Sequence, residues 1–72
     1  MNQAMIGNIT VESNYEFVVY GPVRGKISEH RRLSSAEKAL AKDRHGCKKA
    51  GGYSDCSIYR YDDAAGRWFP IS

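Results

Sequence analysis

The chain predicts an α+β domain: an antiparallel sheet of about four strands, in the order β-β-α-β-β, with one helix packed on one face. Three observations carry this. From Ala36 to Ala50, small apolar residues recur at three- and four-residue spacing, the period of a helix with one buried stripe. Gly51-Gly52 follows at once, and glycine takes the left-handed conformation that ends a helix. On each side lie two segments rich in aromatic and β-branched residues, joined by glycine-bearing turns.

In chain order, residues 1–13 are weakly patterned; Ile6, Ile9 and Val11 make them an N-terminal arm or a short strand. Residues 14–72 then form the single α+β domain. Tyr15 to Tyr20 is a strand by its Tyr, Phe and Val content. Gly21-Pro22-Val23-Arg24-Gly25 is a turn, since proline presets φ and glycine permits positive φ. Lys26 to Arg32 alternates imperfectly, with Ile27 and Leu33 as its apolar anchors, and reads as the second strand of a hairpin.

Ser34-x-x-Glu37 matches a capping box, in which the serine hydroxyl and the glutamate each satisfy an amide at the helix start. The helix is expected from about Ser35 to Ala50. Its stripe is Ala36, Ala39, Leu40, Asp43, Cys47 and Ala50, narrow and small, with Asp43 as the polar intruder. Gly46 weakens it by about 1 kcal/mol relative to alanine. Asp55 to Tyr61 alternates, with Cys56 and Ile58 on one face and Ser57, Tyr59 and Tyr61 on the other. Asp62 to Gly66 is a hairpin loop, and Arg67 to Ile71 is the closing strand. Pro70 cannot donate to a ladder, which places that strand at an edge.

Seventy-two residues make one domain at most and leave little room for both a core and a deep catalytic pocket. Eleven basic residues against eight acidic give a net charge of +3, which permits nucleic-acid binding and excludes an acidic mimic of DNA. Cys47 and Cys56 form no C-x-x-C pair and read as buried thiols rather than a bridge or a reactive site, which favours a reducing compartment, the cytoplasm. No stretch reaches the roughly 18 apolar residues of a membrane span, and no secretory signal is visible at the start.

Two surfaces stand out as binding candidates. Lys38, Lys42, His45 and Lys49 recur along one helix side, with Arg31 and Arg32 just upstream. They read either as a contact to a phosphate backbone or an acidic protein patch, or as the solvated face that every amphipathic helix has. Tyr59, Tyr61 and one of Trp68 or Phe69 share the outer sheet face, with Arg60 and Arg67 beside them. They read as protein-interface anchors, as base-stacking rings, or as ordinary strand residues beneath the N-terminal arm.

The parts of a reaction centre are not assembled in the sequence. His30 and His45 with Cys47 fall short of the four ligands of a zinc site, so no metal and no cofactor is expected. His45 and Cys47 point to different helix sides, and Gly51-Gly52 follows a helix where a phosphate loop would precede one. Asp62 and Asp63 fit a turn. The chain therefore reads as a binding protein and not an enzyme.

The run Gly25-Lys26-Ile27-Ser28-Glu29-His30-Arg31-Arg32-Leu33, the helix to Gly46-Cys47, and Gly51-Gly52-Tyr53-Ser54-Asp55 resemble small proteins of phages, prophages and plasmids. The architecture is similar to that of the compact anti-CRISPR proteins such elements encode. The resemblance implies a stoichiometric inhibitor whose partner is a CRISPR surveillance complex and which blocks binding of its target nucleic acid. The alternative from the residues is a small nucleic-acid-binding regulator that uses the lysine stripe. The expected contact residues are Tyr59, Arg60, Tyr61, Arg67, Trp68, Lys38, Lys42, Lys49, Arg31 and Arg32, of which the alternative regulator uses the basic helix stripe.

Overall fold

Six strands and one helix make up the computed structural model, which describes residues 1–52 and 54–71. The elements are β1 (Asn2–Ile6), β2 (Ile9–Ser13), β3 (Phe17–Gly21), β4 (Gly25–His30), α1 (Leu33–Lys49), β5 (Ser57–Asp62) and β6 (Arg67–Pro70). The last four strands form one antiparallel sheet in the order β4-β3-β5-β6, with α1 on one face. The α+β class, the central four strands and the single helix are as the sequence predicts. Pro70 lies on an edge strand, as its missing N–H requires.

Residues 1–13 do more than an arm or a short strand. They form an antiparallel hairpin, β1-β2, that is a second sheet in its own right. Its two-residue turn is Gly7-Asn8, with Gly7 at φ 62 and Asn8 outside the positive region, the pattern of a type II′ turn. The hairpin covers the sheet face that α1 leaves open. The order of layers is therefore hairpin, sheet, helix.

Each face of the central sheet has its own core. Val19, Cys56 and Ile58 meet Ala36 and Leu40 of the helix, with Phe17 and Ala39 partly buried beside them. On the other face Val18, Tyr20 and Trp68 meet Val11 of the hairpin, flanked by Ala4, Ile6, Tyr59 and Tyr61. Trp68 Nε1 donates to the Val11 carbonyl at 3.1 Å, tying the buried indole to β2. Lys26 Nζ donates to the Glu12 carbonyl at 2.6 Å at the opposite side of the hairpin.

The imperfect alternation of β4 has a physical cause. The β3–β4 register shifts between Val19 and Tyr20, so Ser28 pairs with Val19 while Lys26 pairs with Tyr20. Ile27 is the extra residue of a bulge. The bulge sets Lys26 and Glu29 on the same side, and their ion pair closes at 2.8 Å.

The helix starts differently from expectation and stops as expected. Arg32 is the N-cap residue, in extended conformation, and no side chain caps the helix start. Ser34 is thus inside the first turn, and the Ser34–Glu37 capping box does not form. β4 ends at His30, and two residues carry the chain onto the sheet face, so the tertiary path sets the boundary ahead of the cap motif. At the other end Ala50 is the C-cap and Gly51 has φ 89. Gly51 N–H donates to the Lys48 carbonyl and Gly52 N–H to the Cys47 carbonyl, which is a Schellman motif.

Asp43, the polar intruder, has its partner. The Arg24 guanidinium from the β3–β4 turn grips both carboxylate oxygens, at 2.8 and 2.5 Å, and the Ser54 hydroxyl donates to the same group. The bidentate hydrogen bond from Arg24, then that from Ser54, holds the Asp43 carboxyl at about 2, below the ordinary 3.8. A depressed carboxyl stabilises the fold above its ordinary value, and the contribution is lost as pH falls from about 4 toward 2. Thermal melts over that window should show a falling midpoint. Asp43→Asn should melt lower near neutral pH and show a shallower decline in acid; an unchanged acid profile would remove Asp43 as its source.

Candidate nucleic-acid interface

The ion pairs sort the charges of the surface. Among the described residues Arg24 pairs with Asp43, Lys26 with Glu29 and Arg60 with Glu16. That leaves eight of the eleven Lys and Arg outside ion pairs. Seven of the eight belong to α1 or its lead-in: Arg31, Arg32, Lys38, Lys42, Arg44, Lys48 and Lys49. All seven are exposed. Among the acids of that segment, Asp43 is held by Arg24, so Glu37 alone opposes them. The hairpin layer carries the reverse balance, with Glu12 and neither Lys nor Arg.

The phase of the helix explains the layer. Ala36 and Leu40 fix the buried direction. At 100° per residue Lys38, Lys42, His45 and Lys49 then fall within about 60° of arc on the outer side. Arg44 and Lys48 fall on the flank over β5, a pair that spacing of the lysines alone passes over. Lys38 and Lys49 are about 16 Å apart along the axis. All four side chains are exposed, on the side of the helix away from the sheet. The expected lysine stripe is present in full and is broader than its four members.

The aromatic candidates are placed otherwise. Trp68 is only 5 % exposed and belongs to the core under the hairpin, so it is not an accessible anchor in this conformation. Tyr59 and Tyr61 are half-buried on the same covered face. Tyr59 meets Tyr20 edge-to-face at 5.7 Å, and Tyr61 meets Trp68 at 5.1 Å. The reading of these rings as strand residues beneath the N-terminal segment is the one the geometry follows.

The arginines alternate away from them. Arg60 lies on the helix side of β5, where its Nε donates to Glu16 at 2.8 Å. Arg67 sits over the Phe69 ring with its guanidinium 4.7 Å from the centroid, and Arg31 sits over Tyr15 at 5.7 Å. The ten expected contact residues therefore separate into three groups. The helix lysines with Arg31 and Arg32 form one layer; Tyr59, Tyr61 and Trp68 are on the opposite side of the molecule, with Arg60 and Arg67 at the uncovered part of the sheet.

The cysteines stay free thiols. Cys56 is buried in the helix-side core and Cys47 is half-buried. Among the described residues no three His, Cys, Asp or Glu side chains come together to hold a metal ion, and no helix is long and apolar enough to cross a membrane. No protein-family profile, curated protein or solved structure matches the chain.

Proposed function

We propose that this is a non-catalytic nucleic-acid-binding protein that lays the outer face of α1 and the Arg31-Arg32 lead-in along a phosphate backbone. One observation carries the reading: seven exposed cations outside ion pairs share one layer with a single unpaired acid. A solvated helix face needs polarity, and mixed charge provides it. A face of one sign concentrates a positive field and attracts polyanions. Each phosphate that such a face neutralises releases counterions, so affinity falls steeply with salt.

The test is a salt series against labelled DNA and RNA. Replacing Lys38, Lys42 and Lys49 with glutamine should flatten the slope of log affinity against log salt by about two to three on a duplex, at about 0.9 per contact. The thermal midpoint should barely change, since all three side chains are exposed. Absence of binding at low salt would sink the proposal.

A second reading uses the same face. The resemblance to mobile-element inhibitors supports a protein that seats this basic layer on a CRISPR surveillance complex and keeps target nucleic acid out. It is supported by restored plaquing of a targeted phage when the protein is expressed, with effector subunits co-purifying. Intact immunity and no co-purification would discard it.

A further inference from the structure

The helix covers only part of its sheet face. Cross-strand pairing places His30, Phe17, Arg60 and Phe69 in one row across all four strands, β4 to β6. Phe17 packs against the helix-side core, and the others share its side by register. Arg67, two residues before Phe69 on the edge strand, covers the ring as a cation–π pair. Beside this row a cleft of about 290 Å³ opens between α1 and the β5–β6 side, floored by Ile58 and Ile71 with Leu33 at its rim. Leu33 and Ile71 are exposed although apolar.

We infer that this uncovered strip, centred on Phe69, is a stacking platform for the bases of a single-stranded nucleic acid; the inference rests on the backbone-binding role of α1 proposed above. Three features favour this occupant. Phe69 is half-buried on the open sheet face, and its cover is the exposed Arg67 side chain, which a base can displace or join to stack on the ring in a sequence-tolerant way. Phe17 and Phe69 are two strands apart, about 10 Å, with Arg60 between them. The platform adjoins the flank of α1 that carries Arg44 and Lys48, and Arg44 lines the cleft, so a strand whose bases rest on the sheet has phosphate partners beside it. A duplex keeps its bases stacked inside and cannot use the rings.

The experiment measures anisotropy of labelled oligo(dT), oligo(U) and a short duplex with the full chain and with Phe69→Leu, which keeps an apolar side chain and removes the ring. The wild type should bind the single strands more tightly than the duplex at equal salt. Phe69→Leu should weaken single-strand binding by roughly 5- to 100-fold, the loss of one stacked base, and leave duplex binding within about twofold. An unchanged circular dichroism melt shows the variant to be folded. A wild-type preference for the duplex, or single-strand affinity that survives Phe69→Leu, overturns the platform while the backbone-binding role stands. Binding to neither nucleic acid overturns both.

Discussion

Replacing Trp68 with alanine is expected to remove about 3–5 kcal/mol of stability, the range for truncating a buried tryptophan. The whole fold has about 4–11 kcal/mol at typical values per residue, so the loss is a large part of it. Trp68 joins the two sheets. Its ring packs with Val11, Val18 and Tyr20, and its N–H satisfies the Val11 carbonyl. A two-stranded hairpin is marginal in water alone, and β1-β2 depends on this contact to stay folded. Removing the indole leaves a cavity, an orphaned carbonyl and three tyrosines under a loosened cover. Urea melts should show a midpoint far below wild type. Trp68→Phe separates the terms: it keeps most of the packing, loses the hydrogen bond, and should cost about 1 kcal/mol from that loss alone. A wild-type midpoint for Trp68→Ala would mean that the hairpin is not held by this core.

How much of this was legible in the chain depends on whether a feature is local. The β5–β6 hairpin was readable because Cys56 to Tyr61 alternates and Asp62 to Gly66 makes its own turn; Asp62 accepts from Ala64 and Ala65 there. The helix stop was readable because Gly51 and Gly52 act within one turn. The N-terminal hairpin was also written, in Gly7-Asn8 between Ile6 and Ile9, but short strands with Asn2, Gln3 and Ala4 give a weak period. Missing it had a consequence for the candidate site. The face with Tyr59, Tyr61 and Trp68 reads from the sequence either as an open binding face or as strand residues beneath the N-terminal arm, and the hairpin selects the second. Parity along the strands then moves the open aromatic to Phe69 and the open arginines to Arg60 and Arg67. The Arg24–Asp43 pair was not legible, since it joins residues nineteen apart through the packing of a turn on a helix. The false capping box shows the same limit: Ser34 and Glu37 fit the motif, and the path from β4 onto the sheet overrides it.

Leu40→Ala is expected to cost about 2–5 kcal/mol and, with it, the binding face. Ala36 and Leu40 are the buried residues among those described on α1, and only leucine brings a large side chain. The stripe of alanines lets the helix lie close to Val19 and Ile58, but each alanine removes little apolar area from water. Seventeen residues with Gly46 in the last turn and no side-chain cap at the start make a helix that is marginal without its sheet. The basic layer exists only while the helix is docked, because a frayed helix scatters Lys38, Lys42 and Lys49 around the chain. The two faces of one helix therefore separate by experiment. Glutamine at the three lysines should leave the melt in place and flatten the salt dependence of binding. Alanine at Leu40 should lower the midpoint by at least about 8 °C, at 4 °C or more per kcal/mol, and binding should disappear along the same temperature curve as helical circular dichroism. If Leu40→Ala keeps its nucleic-acid affinity above its own melting temperature, the ordered helix is not the binding element, and an unfolded basic segment is.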